Sequence, residues 1–236
     1  MRREWIYELV SGGSGLILAL FMWGHMFMVG SILTGQRGFD WVASSLEHYY
    51  IAQPTVVVIF ALFLVHAVMA SRKIPAQLRE RRKVIELARG LRERAGHSAV
   101  DARRFEPHTE SMLWIWQVRT GMVLLVLGGA HLLLVTFDLF SPDMGSRVGI
   151  EAATSTARVA GGLWIAYALL LLCVEFHAGV GLYRLAIKWG AGSLLSRRAL
   201  HRIERVIFFV FLGLGLVTLA VLAGWIDPPL AFLLEG

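Results

Sequence analysis

Several features that mark other protein classes are missing from this chain of 236 residues. It has one cysteine, Cys173, so no internal disulfide framework can form. No C-x-x-C-H segment is present, which gives no support to covalent attachment of a c-type haem. No glycine-rich phosphate motif follows a strand pattern. The basic residues flank apolar runs, where membrane orientation explains them better than nucleic-acid binding does.

Long apolar runs are what the sequence has instead. Hydrophobic residues make up 56% of the chain and its mean hydropathy is +0.62, which is too apolar for a soluble domain. We therefore predict an all-α membrane protein, a single membrane domain with five transmembrane helices. The first run follows two arginines, as in a signal peptide, but it is longer and lacks a clear cleavage site, so we expect it to be retained. The predicted spans cover residues 12–34, 51–71, 111–139, 157–186 and 206–226.

The distribution of cations predicts the orientation of these spans. The N-terminus, the loop 71–110 and the segment 184–205 hold two, eleven and six of the 23 lysines and arginines. By the positive-inside rule, all three segments lie in the cytoplasm. Five spans then place the C-terminus on the opposite side. The basic cytoplasmic loop, residues 72–110, is expected to be helical and solvated, and its cations suit anionic lipid.

Each of the first four predicted spans contains one histidine, and the fifth contains none. At the rise of an α-helix, His66 and His177 lie roughly 8–10 Å from the inner surface. His25 and His131 lie roughly 10–13 Å from the outer surface. Histidine is a common metal ligand, and two histidines supply the axial positions of a low-spin haem. Two histidines at each level favour two haems stacked inside a bundle of the first four helices.

A second pattern concerns the residue eleven positions before each histidine. That residue lies on the same helix face, about 16 Å away, toward the level of the other histidine pair. A bulky side chain there would hit a porphyrin, so small residues fit the two-haem arrangement. Small residues also promote ordinary helix packing in membranes, and both interpretations remain open. The four residues are Ser14, Thr55, Thr120 and Ala166.

Three further ionisable residues lie within or beside the predicted spans. Glu175 lies two residues before His177, where a charge costs roughly 2.5–3.5 kcal/mol, so it serves either a proton path or a buried structural hydrogen bond. Arg119 requires a counter-charge, such as a haem propionate, or must reach the nearby inner surface. Glu47 precedes the second span, where a helix dipole and interfacial water would also stabilise a carboxylate.

Three segments resemble a known family of membrane proteins. They surround His25, His66 and His177 and read FMWGHMFMVGSILTG, LFLVHAVMASRK and HAGVGLYRLAIKWG. In these segments the chain resembles the di-haem cytochrome b subunit of quinol:fumarate reductase and succinate dehydrogenase, in the class with one five-helix membrane subunit. The resemblance extends from about residue 4 to residue 226, and residues 177–188 are its most specific part.

The resemblance implies two haem b groups and a role for each matching residue. His66 and His177 match the ligands of the proximal haem, nearer the iron–sulfur subunit, and His25 and His131 match those of the distal haem. The quinol-site glutamate, which would accept a proton from menaquinol, falls on Glu47. The glutamate implicated in transmembrane proton movement falls on Glu175. Trp114 and Lys188 match residues near the haem propionates. Arg119 is a candidate to take over the role that a Gln-Ser near a propionate has in the family.

The resemblance also implies partners and a location. A flavoprotein and an iron–sulfur subunit would dock on the cytoplasmic face, against the loop 72–110, and hold the fumarate or succinate site. The complex would lie in a bacterial inner membrane with the N-terminus cytoplasmic and the C-terminus periplasmic, and it could form a dimer of the heterotrimer. Two departures affect the details. The family's Gln-Ser near a propionate reads Ser11–Gly12, and the segment after Glu47 is shorter.

The expected function is that of a membrane anchor which passes electrons between menaquinol and the iron–sulfur subunit. One alternative is the cytochrome b anchor of a hydrogenase, formate dehydrogenase or nitrate reductase, which also uses membrane histidine pairs. A different class of protein, a haem-free membrane anchor that conducts protons through histidine and glutamate, is the other alternative. A visible spectrum tests the haem-free alternative, and the co-purifying subunits distinguish the other two.

Overall fold

Helices form nearly all the regular structure in the residues that the structure describes, which are 2–95, 109–140 and 150–234 of a computed structural model. Within these ranges, five helical segments are long and apolar enough to cross a membrane. The prediction of an all-α membrane protein with five transmembrane helices is confirmed. The α-helices are α1 (Arg2–Gly30), α2 (Gln36–His48), α3 (Ala52–Ser71), α4 (Ile74–Ala95), α5 (Thr109–Phe140), α6 (Ala152–Arg158), α7 (Trp164–Lys188) and α8 (Arg197–Leu222).

Helices α1, α3, α5 and α7 form a closed bundle in which each contacts the next and α7 contacts α1. Helix α8 packs on the outside, against α7 and α1. Its approach to α7 depends on Gly215, because a Cβ atom there would lie 2.5 Å from a methyl carbon of Leu171. Four of the five spans thus surround a common interior, and the fifth supports the bundle from one side.

One end of the bundle carries most of the cations in the described residues, and we call it the basic end. Lys188, at the end of α7, pairs with Glu8 of α1. Lys73, which follows α3, lies 3.9 Å from the same carboxylate. The N-terminal segment, the start of the basic loop and the end of α7 therefore meet at one end of the molecule, as the positive-inside argument requires of segments on one side.

The opposite end, the far end, contains the main buried apolar cluster and helix α2, which lies between the first two predicted spans. Gly35, with φ +97°, ends the helical stretch that continues from α1, and α2 begins at the next residue. The apolar residues of α2 recur at helical spacing, and one of them, Phe39, is buried. The segment that follows α8 also lies at the far end, where the Leu230 N–H donates a hydrogen bond to the Leu33 carbonyl. The cluster comprises Ile32, Leu33, Phe39, Ala152, Val159, Leu219, Val221, Leu222 and Ala223.

The fourth span differs from the continuous helix predicted over 157–186. It begins earlier, as α6, and passes through a π-helical segment, Val159–Leu163, before α7. Gly162 has φ +114° inside that segment, a conformation that side chains with a Cβ rarely adopt. Part of the basic loop is helical, as α4, in agreement with expectation. Residues 96–108 and 141–149 lie outside the described residues.

Candidate functional site

Two pairs of histidine rings face each other inside the bundle. The ring centroids of His66 on α3 and His177 on α7 lie 6.3 Å apart, with their planes at 88°. Those of His25 on α1 and His131 on α5 lie 6.0 Å apart, with their planes at 55°. The depths of the four histidines in the sequence predict these same pairs, and each pair joins two helices. The first pair is nearer the basic end and the second is nearer the far end.

These separations match the spacing that one metal ion between two rings requires. A metal bound about 2 Å from one nitrogen of each ring holds the two ring centroids about 6 Å apart. Direct packing of two rings also occurs at such distances, so the separation alone does not identify a ligand. The hydrogen bonds of the rings provide a second and independent indication.

Each ring of the pair nearer the basic end donates a hydrogen bond to a backbone carbonyl of a neighbouring helix. His66 Nδ1 lies 3.1 Å from the Ser11 carbonyl oxygen, and His177 Nδ1 lies 2.8 Å from that of Gln117. A carbonyl oxygen can only accept, so Nδ1 carries the proton and Nε2 has the free lone pair. This arrangement is typical of metal-ligating histidines, because the second hydrogen bond fixes the tautomer and makes the ligand more basic.

A glycine lies four residues after each of these carbonyls and admits the ring. A Cβ atom at Gly15 would lie 2.8 Å from His66 Cε1, and one at Gly121 would lie 2.8 Å from His177 Cε1. The same carbonyl and glycine spacing therefore occurs on α1 and on α5. Ser14, one of the small residues predicted at this level, has its Oγ 3.3 Å from His66 Nδ1. The sequence shows these glycines, but their role depends on knowing which helix each histidine faces.

The pair nearer the far end has different neighbours. The Tyr167 hydroxyl lies 3.4 Å from His131 Nδ1, and the ring of His25 stacks on Phe21 at 5.7 Å. Two turns beyond His131, Asp138 is 5% exposed and forms a bidentate ion pair with Arg158, with contacts of 2.5 and 2.6 Å. Neither residue of this pair is singled out by the sequence pattern.

Glu175 is 4% exposed but does not face the histidines. It lies two residues from His177, which is about 200° around the helix. The Trp23 side chain of α1 hydrogen-bonds to its carboxyl group, and the Trp23 ring also stacks on Phe211 of α8 at 5.4 Å. Glu175 thus belongs to the contact between α1, α7 and α8, beside the bundle interior.

Glu47 lies at the far end, near the end of α2 and not at the start of the second span. The dipole of its own helix does not stabilise it there. Its Oε1 accepts a hydrogen bond of 2.8 Å from the Ile150 N–H, and Asp40, on the same face of α2, accepts one of 2.7 Å from the Ala152 N–H. The two carboxylates therefore hold the backbone where the fourth span begins.

The three residues expected near propionates are placed differently from one another. Trp114 and Lys188 lie on the same helix faces as Gly121 and His177, toward the basic end. Arg119 lies two residues from Gly121, so it points away from that face. Its guanidinium stacks over Trp116, 5.2 Å from the ring centroid. That contact favours the interpretation in which Arg119 reaches toward the membrane surface.

Comparison with known proteins agrees with this architecture. Residues 97–221 match the model of the succinate dehydrogenase/fumarate reductase transmembrane subunit family. The chain belongs to this family. It is 31% identical over 229 residues to the fumarate reductase cytochrome b subunit of Helicobacter pylori strain J99, which covers 92% of this chain and 81% of the relative. It is 33% identical over 217 residues to the protein of the same name from Wolinella succinogenes, which covers 87% of this chain and 76% of the relative.

Membership of the family confirms the resemblance found in the sequence, and the expectation of a multi-pass membrane protein with it. It also favours a succinate dehydrogenase or fumarate reductase subunit over the anchors of hydrogenase, formate dehydrogenase or nitrate reductase. The relatives are named cytochrome b subunits, and the histidine pairs are the groups in the described bundle that suit such a cofactor. The ligand assignments remain predictions.

Proposed function

We propose that this chain is the membrane anchor and electron-transfer subunit of a fumarate reductase or succinate dehydrogenase, passing electrons between menaquinol and an iron–sulfur subunit through two b haems. The observation that carries the proposal is that histidine rings face each other in pairs at two levels of the bundle. The ring centroids are 6.3 Å apart in one pair and 6.0 Å apart in the other. The family and the names of its relatives support it.

The described side chains fit two haems. His66 and His177 would hold the one nearer the basic end, and His25 and His131 the one nearer the far end, each through an imidazole nitrogen. When bound, haem supplies one-electron redox chemistry whose potential depends on its axial ligands and their hydrogen bonds. The Ser11 and Gln117 carbonyls orient the first pair of rings, and Trp114 and Lys188 would donate hydrogen bonds to the propionates.

Glu47 is our candidate for the proton acceptor from menaquinol. Its Oε1 is held by the Ile150 N–H, and a carboxylate has lone pairs left for a second donor. It is half-buried at the far end, the end nearer the His25–His131 pair. A carboxylate within hydrogen-bonding reach of a quinol hydroxyl can remove its proton.

The basic end is our candidate for the docking face of the flavoprotein and iron–sulfur subunits. Helix α4 leaves the bundle there, and many of its side chains are exposed. The orientation proposed in a bacterial inner membrane places this end in the cytoplasm and residue 234 on the periplasmic side. The substrate site for fumarate or succinate would then belong to the flavoprotein, with this chain supplying the quinone-reactive part.

Counting haem b in the purified complex tests the proposal. The wild type should contain two b haems for each copy of this chain, and menaquinol analogues should reduce fumarate. His66→Ala should lower the haem content and abolish this turnover, whereas His48→Ala, which changes an exposed histidine outside both pairs, should retain both haems. Absence of haem from the wild-type complex would overturn the proposal in favour of a haem-free anchor.

A further inference from the structure

One face of α8 is basic at its start and apolar further along. Six residues of this face recur at the spacing i, i+4, i+7, i+8, i+11 and i+12, which places them on the same side of a helix. In α8 this side is left outside the bundle, away from the contacts with α7 and α1. The residues in order are Arg198, Arg202, Arg205, Val206, Phe209 and Val210.

The basic part of this face lines a cleft of about 490 Å³ between α8 and the start of α5, where Leu113 forms the opposite wall. His201 and Glu204 complete the described lining. The Glu204 carboxylate lies 3.6 Å from His201 and packs against Gly179 of α7. Among the described side chains of the cleft, three guanidinium groups thus accompany one carboxylate, and the cleft is suited to an anion.

The apolar part of the face forms a shallow, largely open groove, about 500 Å³, that begins at the same Arg202 and Arg205. It continues along Val206, Phe209 and Val210, which are 57%, 65% and 56% exposed. Arg205 and Val210 are separated by about 7.5 Å along the helix axis. In a membrane helix with its basic end at the surface, this groove lies at the depth of lipid acyl chains.

We propose that this face of α8 binds one anionic phospholipid, with its phosphate against the three arginines and an acyl chain along the groove. Guanidinium groups match phosphate oxygens in bidentate geometry. Basic clefts between transmembrane helices on the cytoplasmic side suit anionic head groups. A free phosphate ion would leave the groove unused, and a soluble protein partner would not reach its depth. This inference does not depend on whether the chain binds haem.

Native mass spectrometry of the intact complex in mild detergent tests this proposal. We expect the wild type to retain cardiolipin or phosphatidylglycerol more tightly than phosphatidylcholine. Arg202→Gln with Arg205→Gln should weaken that retention by about tenfold or more, because each surface cation contributes about 1 kcal/mol. The control, Arg37→Gln on α2, removes an exposed cation at the far end that has no proposed role, and it should retain the lipid.

Two further arms separate the alternatives. Phe209→Ala with Val210→Ala should weaken retention of long-chain lipids more than of short-chain lipids with the same head group, and added inorganic phosphate should not displace the bound lipid. Equal retention by the arginine variant and its control would overturn the proposal. So would displacement by phosphate alone, or loss of a partner subunit from the arginine variant with lipid retention unchanged.

Discussion

Backbone groups decide much of the chemistry at the scale of single residues. The imidazoles of His66 and His177 are oriented by the carbonyls of Ser11 and Gln117, which belong to helices other than their own. A glycine one turn later removes the side chain that would otherwise block the ring. A carbonyl at i and a glycine at i+4 lie on one face of a helix. The motif therefore needs no particular side chain and requires only that position i+4 has none.

Gly15→Ala tests this motif against a matched control, Gly13→Ala. A Cβ atom at position 15 would lie 2.8 Å from the His66 ring, whereas one at position 13 meets no atom within 4 Å. Alanine favours a helix over glycine by about 0.5–1 kcal/mol, so Gly13→Ala should stabilise the protein slightly. Gly15→Ala should displace the ring and reduce the haem content by more than half, as measured by the pyridine haemochrome spectrum. Equal haem content in the two variants would contradict the motif.

The histidine pairing could be predicted at this scale, and its surroundings could not. Helical rise fixes the depth of each histidine from its distance to the end of its span, which is enough to sort four residues into two levels. The carbonyls that orient His66 and His177 carry no signature in the sequence. The pairing of Asp138 with Arg158 depends on how α6 meets α5 across residues 141–149, and no periodicity encodes that.

Two short elements at the far end, α2 and the π-helical segment, shape the surroundings of the site. The sequence predicted neither of them. Helix α2 has the apolar spacing of an amphipathic helix, but its Gly35 boundary and aromatic residues also fit an interfacial link. The break before α7 requires Gly162 at φ +114°, but glycine is also frequent in regular transmembrane helices.

Gly162→Ala tests how far the break supports the far end. A left-handed conformation costs a residue with a Cβ about 1–2 kcal/mol, so this variant should unfold at lower temperature than the wild type. Gly161→Ala, at the neighbouring position with open space around it and no positive φ, is the control and should unfold at or above the wild-type temperature. Thermal unfolding in detergent measures the stability of both variants. Equal stability would show that the helix can become regular at residue 162 at little cost.

Glu47→Gln separates the structural and chemical roles of α2. The glutamine carbonyl can still accept the hydrogen bond from Ile150, so folding and haem content should be unchanged. Menaquinol oxidation should fall by about a hundredfold or more, because general base catalysis contributes about 10²–10⁴.

Asp40→Asn is the companion variant, since Asp40 makes the equivalent contact with Ala152 and has no proposed part in quinol chemistry. It should retain full turnover in the same quinol oxidation assay. Full turnover in both variants would assign Glu47 to the structural role alone.

The whole molecule separates two environments, the interior of the bundle and the contact of α1 and α7 with α8. The histidine pairs occupy the first, and Glu175 with Trp23 occupies the second. The sequence placed Glu175 next to a proposed ligand, but the helical turn directs it to the other environment. Under the proposed function, a carboxyl group there would carry protons along a path parallel to the electrons without contacting the proposed ligands. Protons and electrons that move inward together would cancel the charge separation between quinol oxidation and fumarate reduction.

Glu175→Gln tests this arrangement at the level of the complete complex. The amide retains an acceptor for Trp23 but cannot carry a proton as a carboxyl group does. We expect unchanged haem content, quinol turnover lowered by about a hundredfold and loss of growth on fumarate. Trp23→Phe removes the hydrogen bond but keeps the carboxyl group, so it should retain most of the turnover. If Glu175 only satisfies a buried contact, the order reverses, because glutamine preserves that contact and phenylalanine does not. Normal growth of Glu175→Gln would therefore exclude a proton path through this residue.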